Sequence, residues 1–229
     1  MKLAVIIPVY NAENTIRKAV KSIDTTHDVE IICINDGSTD RTKQVLTELQ
    51  KEVKHLIVYH QDNQGAAKSR NMGLSAMSDD IDAFMFLDAD DQFLPGKMDQ
   101  MIQYYEKNDH LDIVIGQIGR GMHGDWKVIP THEDIHREAM VSLAEAPEIL
   151  QSIGPGGKLF KAKFNTLRFD EDVVFCEEHT FVTRAYLMSR DIQLVPFIVY
   201  GYNEREGSIT DQRADTFISY LEAVSYTHL

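Results

Sequence analysis

Four short apolar runs, LAVIIPV (residues 3–9), VEIICIN (29–35), LIVYH (56–60) and AFMFL (83–87), alternate with segments of helical period. Between the first two, Ile16, Ala19, Val20 and Ile23 share one helical face. Val45, Leu46 and Leu49 do so after the second, GAAKSRNMGLSAM follows the third, and KMDQMIQYYEKN follows the fourth. Runs of this kind, rich in Val and Ile and without polar alternation, belong to strands buried on both faces. Strand–helix repetition then implies right-handed crossovers and a mostly parallel sheet with helices on either side, a doubly wound α/β arrangement. A ligand of such a sheet sits beyond the carboxyl ends of the strands. The loops YNAE (10–13), NDGSTD (35–40), DNQG (62–65) and DADD (88–91) all emerge there.

The last of these loops poses a chemical question. FLDADD carries a fully apolar strand directly into Asp88, Asp90 and Asp91. Clustered carboxylates repel one another and are expensive to desolvate, so their placement where a buried strand surfaces suggests a cation that draws them together. Hard cations such as Mg²⁺ and Mn²⁺ take oxygen ligands and bind through one or two carboxylates plus substrate phosphates. The other loops offer matching parts. Tyr10 presents an aromatic face on which a base can stack, or it caps the strand. Asp36 can accept from a base imide or a ribose hydroxyl, and Gly37 allows the sharp turn after it, while Ser38, Thr39 and Asp40 also read as a helix cap. Arg70, on the helix after Gly65, can pair with phosphate oxygens or make a surface salt bridge.

The remaining composition narrows the partners. At 229 residues, 43% hydrophobic and 26% charged, the chain can bury one substantial core and reads as one domain over 1–229. A net charge of -13 argues against nucleic acid, since a polyphosphate backbone needs a dense basic face. The two cysteines, Cys33 and Cys176, lack CxxC spacing and indicate neither a disulfide framework nor a zinc site, which fits a reducing cytoplasm. No segment approaches the length of a spanning helix, so any membrane contact is expected to be peripheral, at the inner face, or through another chain.

After LDIVIGQ (111–117) the alternation fades. The expectation is a helix near Glu133 to Ala146, a Gly-rich turn GPGGK, and a helix placing Phe181, Ala185 and Met188 on its core stripe, which points Glu178 outward. Residues 118–212 thus read as a mixed half packed on the same sheet. ADTFISYLEAV within 213–229 reads as a last amphipathic helix, followed by a tail without a stop signal, as in a chain cut short.

Four familiar patterns are weaker. HEDIH (132–136) matches the zinc-protease pattern HExxH and makes a zinc hydrolase the first rival, but it follows Pro130 closely, lacks a third ligand, and reads as two exposed histidines in a first helical turn. GRGMHG (119–124) precedes no helix, GPGGKL lacks the first glycine and the hydroxyl of a phosphate loop, and DADDQF has Phe93 where a calcium loop needs Gly.

IIPVYN, NDGSTD, NQGAAKSRNMGL and FLDADD, in this order and spacing, resemble the family 2 glycosyltransferases, whose nucleotide-sugar-binding fold is called GT-A. The resemblance runs from Val5 to about Thr210. It implies that residues 1–117 form the nucleotide-sugar half and the rest the acceptor side. Pro8, Tyr10, Glu13, Asp36 and Arg70 would hold the nucleotide, Asp88 its ribose or metal shell, and Asp90 a Mn²⁺ or Mg²⁺ ion. Family members commonly open a helix with a Glu-Asp pair whose second acid is the catalytic base. Here the pair is Glu177-Glu178, which assigns Glu178 as base with Glu177 as competitor. YNEREGSIT resembles the family's loop near the active site, where Arg205 and Ser208 would cover the diphosphate, Arg205 reading otherwise as an ion-paired surface residue. Asp91 would orient the acceptor. The implied activity is inverting transfer of a sugar from a nucleotide diphosphate, a UDP-sugar favoured, to a hydroxyl of a carbohydrate or glycolipid, in polysaccharide or glycolipid synthesis. The alternative is a catalytically silent nucleotide-sugar-binding module.

Overall fold

The computed structural model describes residues 1–122, 124–173 and 178–203. The first half follows the alternation: β1 (Lys2–Val9), α1 (Ile16–Lys21), β2 (Asp28–Asp36), α2 (Thr42–Glu52), β3 (Leu56–Gln61), α3 (Ala66–Ala76), β4 (Ala83–Phe86), a short β5 (Gln92–Phe93) and α4 (Lys97–Lys107). The second half adds β6 (Ile113–Met122), β7 (Asp125–Val128), β8 (Ala139–Val141), β9 (Lys158–Lys161), α5 (Glu178–Met188) and β10 (Ile192–Asn203). Among the described residues the strands form one sheet in the order β3-β2-β1-β4-β9-β6-β10-β5, with β7 beside β6 and β8 beside β10.

β1 pairs in parallel with β2 and β4, and β2 with β3. This is the crossover pattern that apolar runs separated by helices require. β9 runs antiparallel between β4 and β6, with Phe84 opposite Phe160 and Ile113 opposite Phe160, and so welds the two halves into a single sheet. β6 and β10 are parallel, with a register shift between Val195 and Ile198. Pro196 lies inside that irregularity, as expected of a residue that cannot donate to the ladder.

Side chains alternate across the sheet with period two. Leu3, Val5, Ile7 and Val9 face a core shared with Ile16 and Val20 of α1, Leu46 and Leu49 of α2, and Met98 and Met101 of α4. Ala4 and Ile6 face the opposite core with Leu74 of α3 and Phe181, Ala185 and Tyr186 of α5. The doubly wound expectation holds on both faces. α3 lies so close to β1 that a Cβ added at Gly73 would stand 2.3 Å from Ile6 Cγ2.

Two expectations of the second half fail. The helix near Glu133 to Ala146 is absent; a 3₁₀ turn at Pro130–His132, strand β8 and a 3₁₀ turn at Pro147–Gln151 occupy and flank that segment. Ala139–Val141 instead pairs antiparallel with Ile192–Leu194 on the side of β10 away from β6, so a sheet edge overrides local helix propensity. Met188, expected in the core, is 53% exposed. The buried stripe of α5 comprises Phe181, Val182, Ala185 and Tyr186, and its centre lies about a quarter turn from Met188 at 100° per residue.

Candidate active site

The loops after β1 and β2 are laced together before any ligand is considered. Asn11, held at φ 46, receives Thr39 N–H on Oδ1 at 2.8 Å and gives its own N–H to Ser38 Oγ at 3.0 Å. Ala12 N–H reaches Thr42 Oγ1 at 2.8 Å. Glu13 Oε2 accepts from Arg41 N–H at 2.9 Å and from Arg41 Nε at 3.1 Å, in a surface depression apart from the main cleft. Glu13 therefore acts on this rim as a tie between loops.

Asp36, at the end of β2, is buried and accepts three hydrogen bonds. Gln61 Nε2 and Gln64 N–H reach Oδ1 at 2.7 and 2.8 Å, and Gly65 N–H reaches Oδ2 at 2.8 Å. A carboxylate has about four lone-pair sites, so capacity for one further donor remains. Asp36 thus fixes the loop that opens α3. The next residue, Gly37, has φ 67, and a Cβ there would stand 2.6 Å from the Asn63 backbone nitrogen, so a side chain would both strain this turn and part the two loops.

Arg70, one turn into α3, is buried and extends Nη2 to Asp88 Oδ1 at 2.9 Å, while its guanidinium lies 5.4 Å from the centroid of the Phe169 ring. The aromatic floor beneath it continues: Phe169 stacks on Phe181 at 4.4 Å, and both rings meet Phe86 edge-on. A planar cation held against an aromatic face and paired with Asp88 at the cleft is a fixed positive charge there.

The acidic loop divides its carboxylates. Asp88 and Asp90 are half-buried at the opening. Asp91, expected beside the acceptor, is 2% exposed and turned inward, Oδ2 accepting from Tyr200 OH at 2.8 Å and Oδ1 from Asn203 N–H at 3.0 Å. Burial, and next the charge of Asp88, push its carboxyl up to about 7. The Tyr200 hydroxyl also accepts Asp88 N–H at 3.1 Å, and Asn203 Nδ2 donates to the Asp90 carbonyl at 2.6 Å. Tyr200 and Asn203, which the sequence did not single out, therefore hold the loop from β10. Nothing in FIVYGYN distinguishes them from ordinary strand residues.

Pro8, Tyr10, Asp36, Arg70, Asp88 and Asp90 line one cleft of about 280 Å³ beyond the carboxyl ends of β1, β2 and β4. Tyr10, 52% exposed, stands at its mouth. Among the described residues no cluster of three or more His, Cys, Asp or Glu side chains is disposed to hold a metal. Two accessible hard-oxygen donors, Asp88 and Asp90, suit a Mg²⁺ or Mn²⁺ ion that takes its other ligands from phosphate and water. Glu178 opens α5, half-buried and three residues before the buried Phe181. Glu177, Cys176, Arg205, Ser208 and the 213–229 segment lie outside the described residues.

The zinc-hydrolase pattern is corrected by the structure. HEDIH forms no regular helix, and His132 is 1% exposed where an exposed histidine was expected. Its Nδ1 accepts Ile118 N–H at 3.2 Å, so Nε2 carries the proton and meets Ser152 Oγ at 2.8 Å. Both ring nitrogens are occupied, and burial, with the Lys158 charge, pushes the imidazole down to about 3.

Residues 4–175 match the sequence profile of the family described as Glycosyl transferase family 2. TagX of Staphylococcus aureus (strain MSSA476), a glycosyltransferase by name, is 36% identical over 228 residues, covering 98% of this chain and 64% of TagX. The chain thus spans just under two thirds of that relative. The crystal structure of S. aureus TarS in complex with UDP-GlcNAc matches with a TM-score of 0.78 at 23% identity, over 91% of this chain and 60% of that one. A mannosyltransferase of Pyrobaculum calidifontis, solved with GDP-Man and Mn²⁺, matches with a TM-score of 0.67 at 14% identity, over 92% of this chain and 59% of that one. Among the described residues no helix is long and apolar enough to cross a membrane. A profile that covers most of the chain, over a sheet whose loops gather the expected motifs at one cleft, shows that this protein belongs to glycosyltransferase family 2 and has the GT-A fold.

Proposed function

We propose that the protein transfers a sugar from a nucleotide diphosphate, with UDP as the favoured base carrier, to a hydroxyl of a carbohydrate or glycolipid acceptor, inverting the anomeric carbon. The observation that carries this reading is the cleft in which Tyr10, Asp36, Arg70, Asp88 and Asp90 meet. Its support from relatives is that TarS was solved with UDP and with UDP-GlcNAc, and that TagX is named a glycosyltransferase. A polysaccharide or glycolipid precursor is the acceptor class, and a cytoplasmic site of action, at the inner membrane face, is where nucleotide sugar and such an acceptor meet.

In this reading Tyr10 stacks on the base and the free lone pair of Asp36 accepts its imide N–H. Asp88 and Asp90 would hold a divalent ion, which when bound supplies Lewis-acid stabilisation of the leaving diphosphate. Arg70 adds a fixed positive charge where negative charge grows on the bridging oxygen. Glu178 removes the acceptor proton as the new C1–O bond forms on the face opposite the departing oxygen, with Glu177 as the competing base. Asp91, through Tyr200 and Asn203, keeps the acidic loop in register. Arg205 and Ser208 cover the diphosphate.

Turnover of a panel of nucleotide sugars, with UDP binding followed by calorimetry, tests the scheme. Asp90→Ala should abolish Mn²⁺-dependent turnover, and Glu178→Gln should spare UDP binding while slowing transfer about 10²–10⁴-fold. If Glu177→Gln slows transfer in that manner and Glu178→Gln does not, the base is the preceding residue. Absence of UDP binding by the unaltered protein with Mn²⁺ would refute the proposal as a whole.

A further inference from the structure

Lys158, the first residue of β9, is 0% exposed, yet among the described residues no carboxylate lies within ion-pair distance. Its ammonium is satisfied by a turn: Nζ donates to Ser152 Oγ at 2.7 Å, to the Gly154 carbonyl at 2.6 Å and to the Gly156 carbonyl at 3.4 Å. Ser152 is held in turn by His132 Nε2, and its carbonyl accepts Tyr186 OH at 2.7 Å. Such a network is costly to bury, and burial alone pushes Lys158 down to about 7. An apolar residue at this position would avoid that cost, so the polar arrangement calls for a purpose.

The turn it shapes packs against Tyr200. A Cβ at Gly156 would stand 3.1 Å from the Tyr200 ring, and one at Gly157, which has φ 69, would stand 3.2 Å from Ile118 and 3.3 Å from the Gly116 carbonyl. Gly116 N–H also bonds the Gly157 carbonyl at 2.9 Å. The glycines therefore let the turn lie flat against the ring whose hydroxyl bridges Asp88 N–H and Asp91.

We infer that Lys158 is a positioning residue for the acidic loop: it sets the 152–157 turn, the turn backs the Tyr200 ring, and the Tyr200 hydroxyl fixes Asp88 and Asp91. This rests on the proposed nucleotide site for its functional meaning, but the mechanical linkage can be read without any ligand.

The test is residue-resolved amide hydrogen exchange on metal-free wild type and Lys158→Met, with cooperative urea unfolding as the check on folding. The Asp88 and Asn203 amides should exchange about tenfold faster in the variant, as for loss of one hydrogen bond, while Ile6 and Ile32 in the central strands keep their protection. UDP affinity with Mn²⁺ should fall about tenfold, the usual effect of losing an outer-shell support. Tyr200→Phe should weaken UDP binding similarly, and the double variant should lose little more than either single one. Unchanged Asp88 and Asn203 exchange overturns the linkage, additive losses overturn the route through Tyr200, and unchanged UDP affinity overturns the positioning role. If Lys158→Met does not fold, Ser152→Ala, which leaves both carbonyl acceptors, gives the same readouts. If the wild type binds no UDP, the nucleotide reading fails while amide exchange still decides the linkage.

Discussion

Asp36 permits a quantitative separation of a loop-holding role from a ligand-holding one. Its Oδ1 serves Gln61 Nε2 and Gln64 N–H, and its Oδ2 serves Gly65 N–H. Asp36→Asn, with its oxygen in the Oδ1 place, keeps the first two and sets an NH₂ group against Gly65 N–H. That N–H then lacks its acceptor, at a cost of about 1 kcal/mol, the low end for a donor on an exposed residue that water can reach. Asp36→Ala strands all three donors, but Gln64 and Gly65 are exposed and water can reach part of the gap, so the expected loss is about 2–4 kcal/mol, well short of the simple sum. Urea unfolding with UDP calorimetry on the same samples measures both effects. The order wild type, Asn, Ala should appear in the urea midpoints, and UDP affinity should fall in both variants because the loop that aims α3 and Arg70 has loosened. If either variant unfolds at the wild-type midpoint while losing UDP, the three protein hydrogen bonds contribute nothing to stability and the reasoning is wrong.

Three further outcomes follow from the packing and charge. Phe181→Ala removes a fully buried ring stacked at 4.4 Å on Phe169 and should destabilise by about 3–5 kcal/mol in urea, loosening the first turn of α5 and the shelf beneath Arg70. Gly73→Ala places a methyl 2.3 Å from Ile6 Cγ2 and should cost about 1–3 kcal/mol in spite of the better helix propensity of alanine; a stabilised variant would contradict the close α3–β1 approach. For Asp91 the carboxyl is raised from 3.8 to about 7, so the folded state holds a proton that the unfolded chain has released. In metal-free protein this stabilisation is present below about pH 4 and lost as pH rises through 7, on the order of 4 kcal/mol in all. Urea titrations in chelator should show wild-type stability falling more steeply than that of Asp91→Asn across this window, and parallel curves would contradict the shift.

The first half was legible because its signals are local. Strands buried on both faces have to be continuous apolar runs, and the loops between them carry their chemistry in consecutive letters, so Tyr10, Asp36, Arg70, Asp88 and Asp90 could be named and do share one cleft. The second half turns on pairings that no window of sequence contains. β8 is a strand because β10 presents an open edge to it, and His132 is buried because Ile118 and Ser152 flank it. Tyr200, Asn203 and Lys158 matter through partners far along the chain or through a turn whose shape is not written in its composition. Asp91 shows both sides: its letter stands out in DADD, but its inward direction is set by β10, 109 and 112 residues away.

β9 is hydrogen-bonded along both its edges, to β4 and to β6, and it runs against the direction of each. The first and second halves of the chain are therefore planks of one floor, and their spacing is governed by inter-strand distance and not by a hinge. Grafting the second half of another family member onto residues 1–117 would leave β4 with a naked edge unless the graft brought a strand matching Leu159–Lys161 in register. Chimeras that keep this seam should remain monodisperse, and those that cut across it should associate edge to edge.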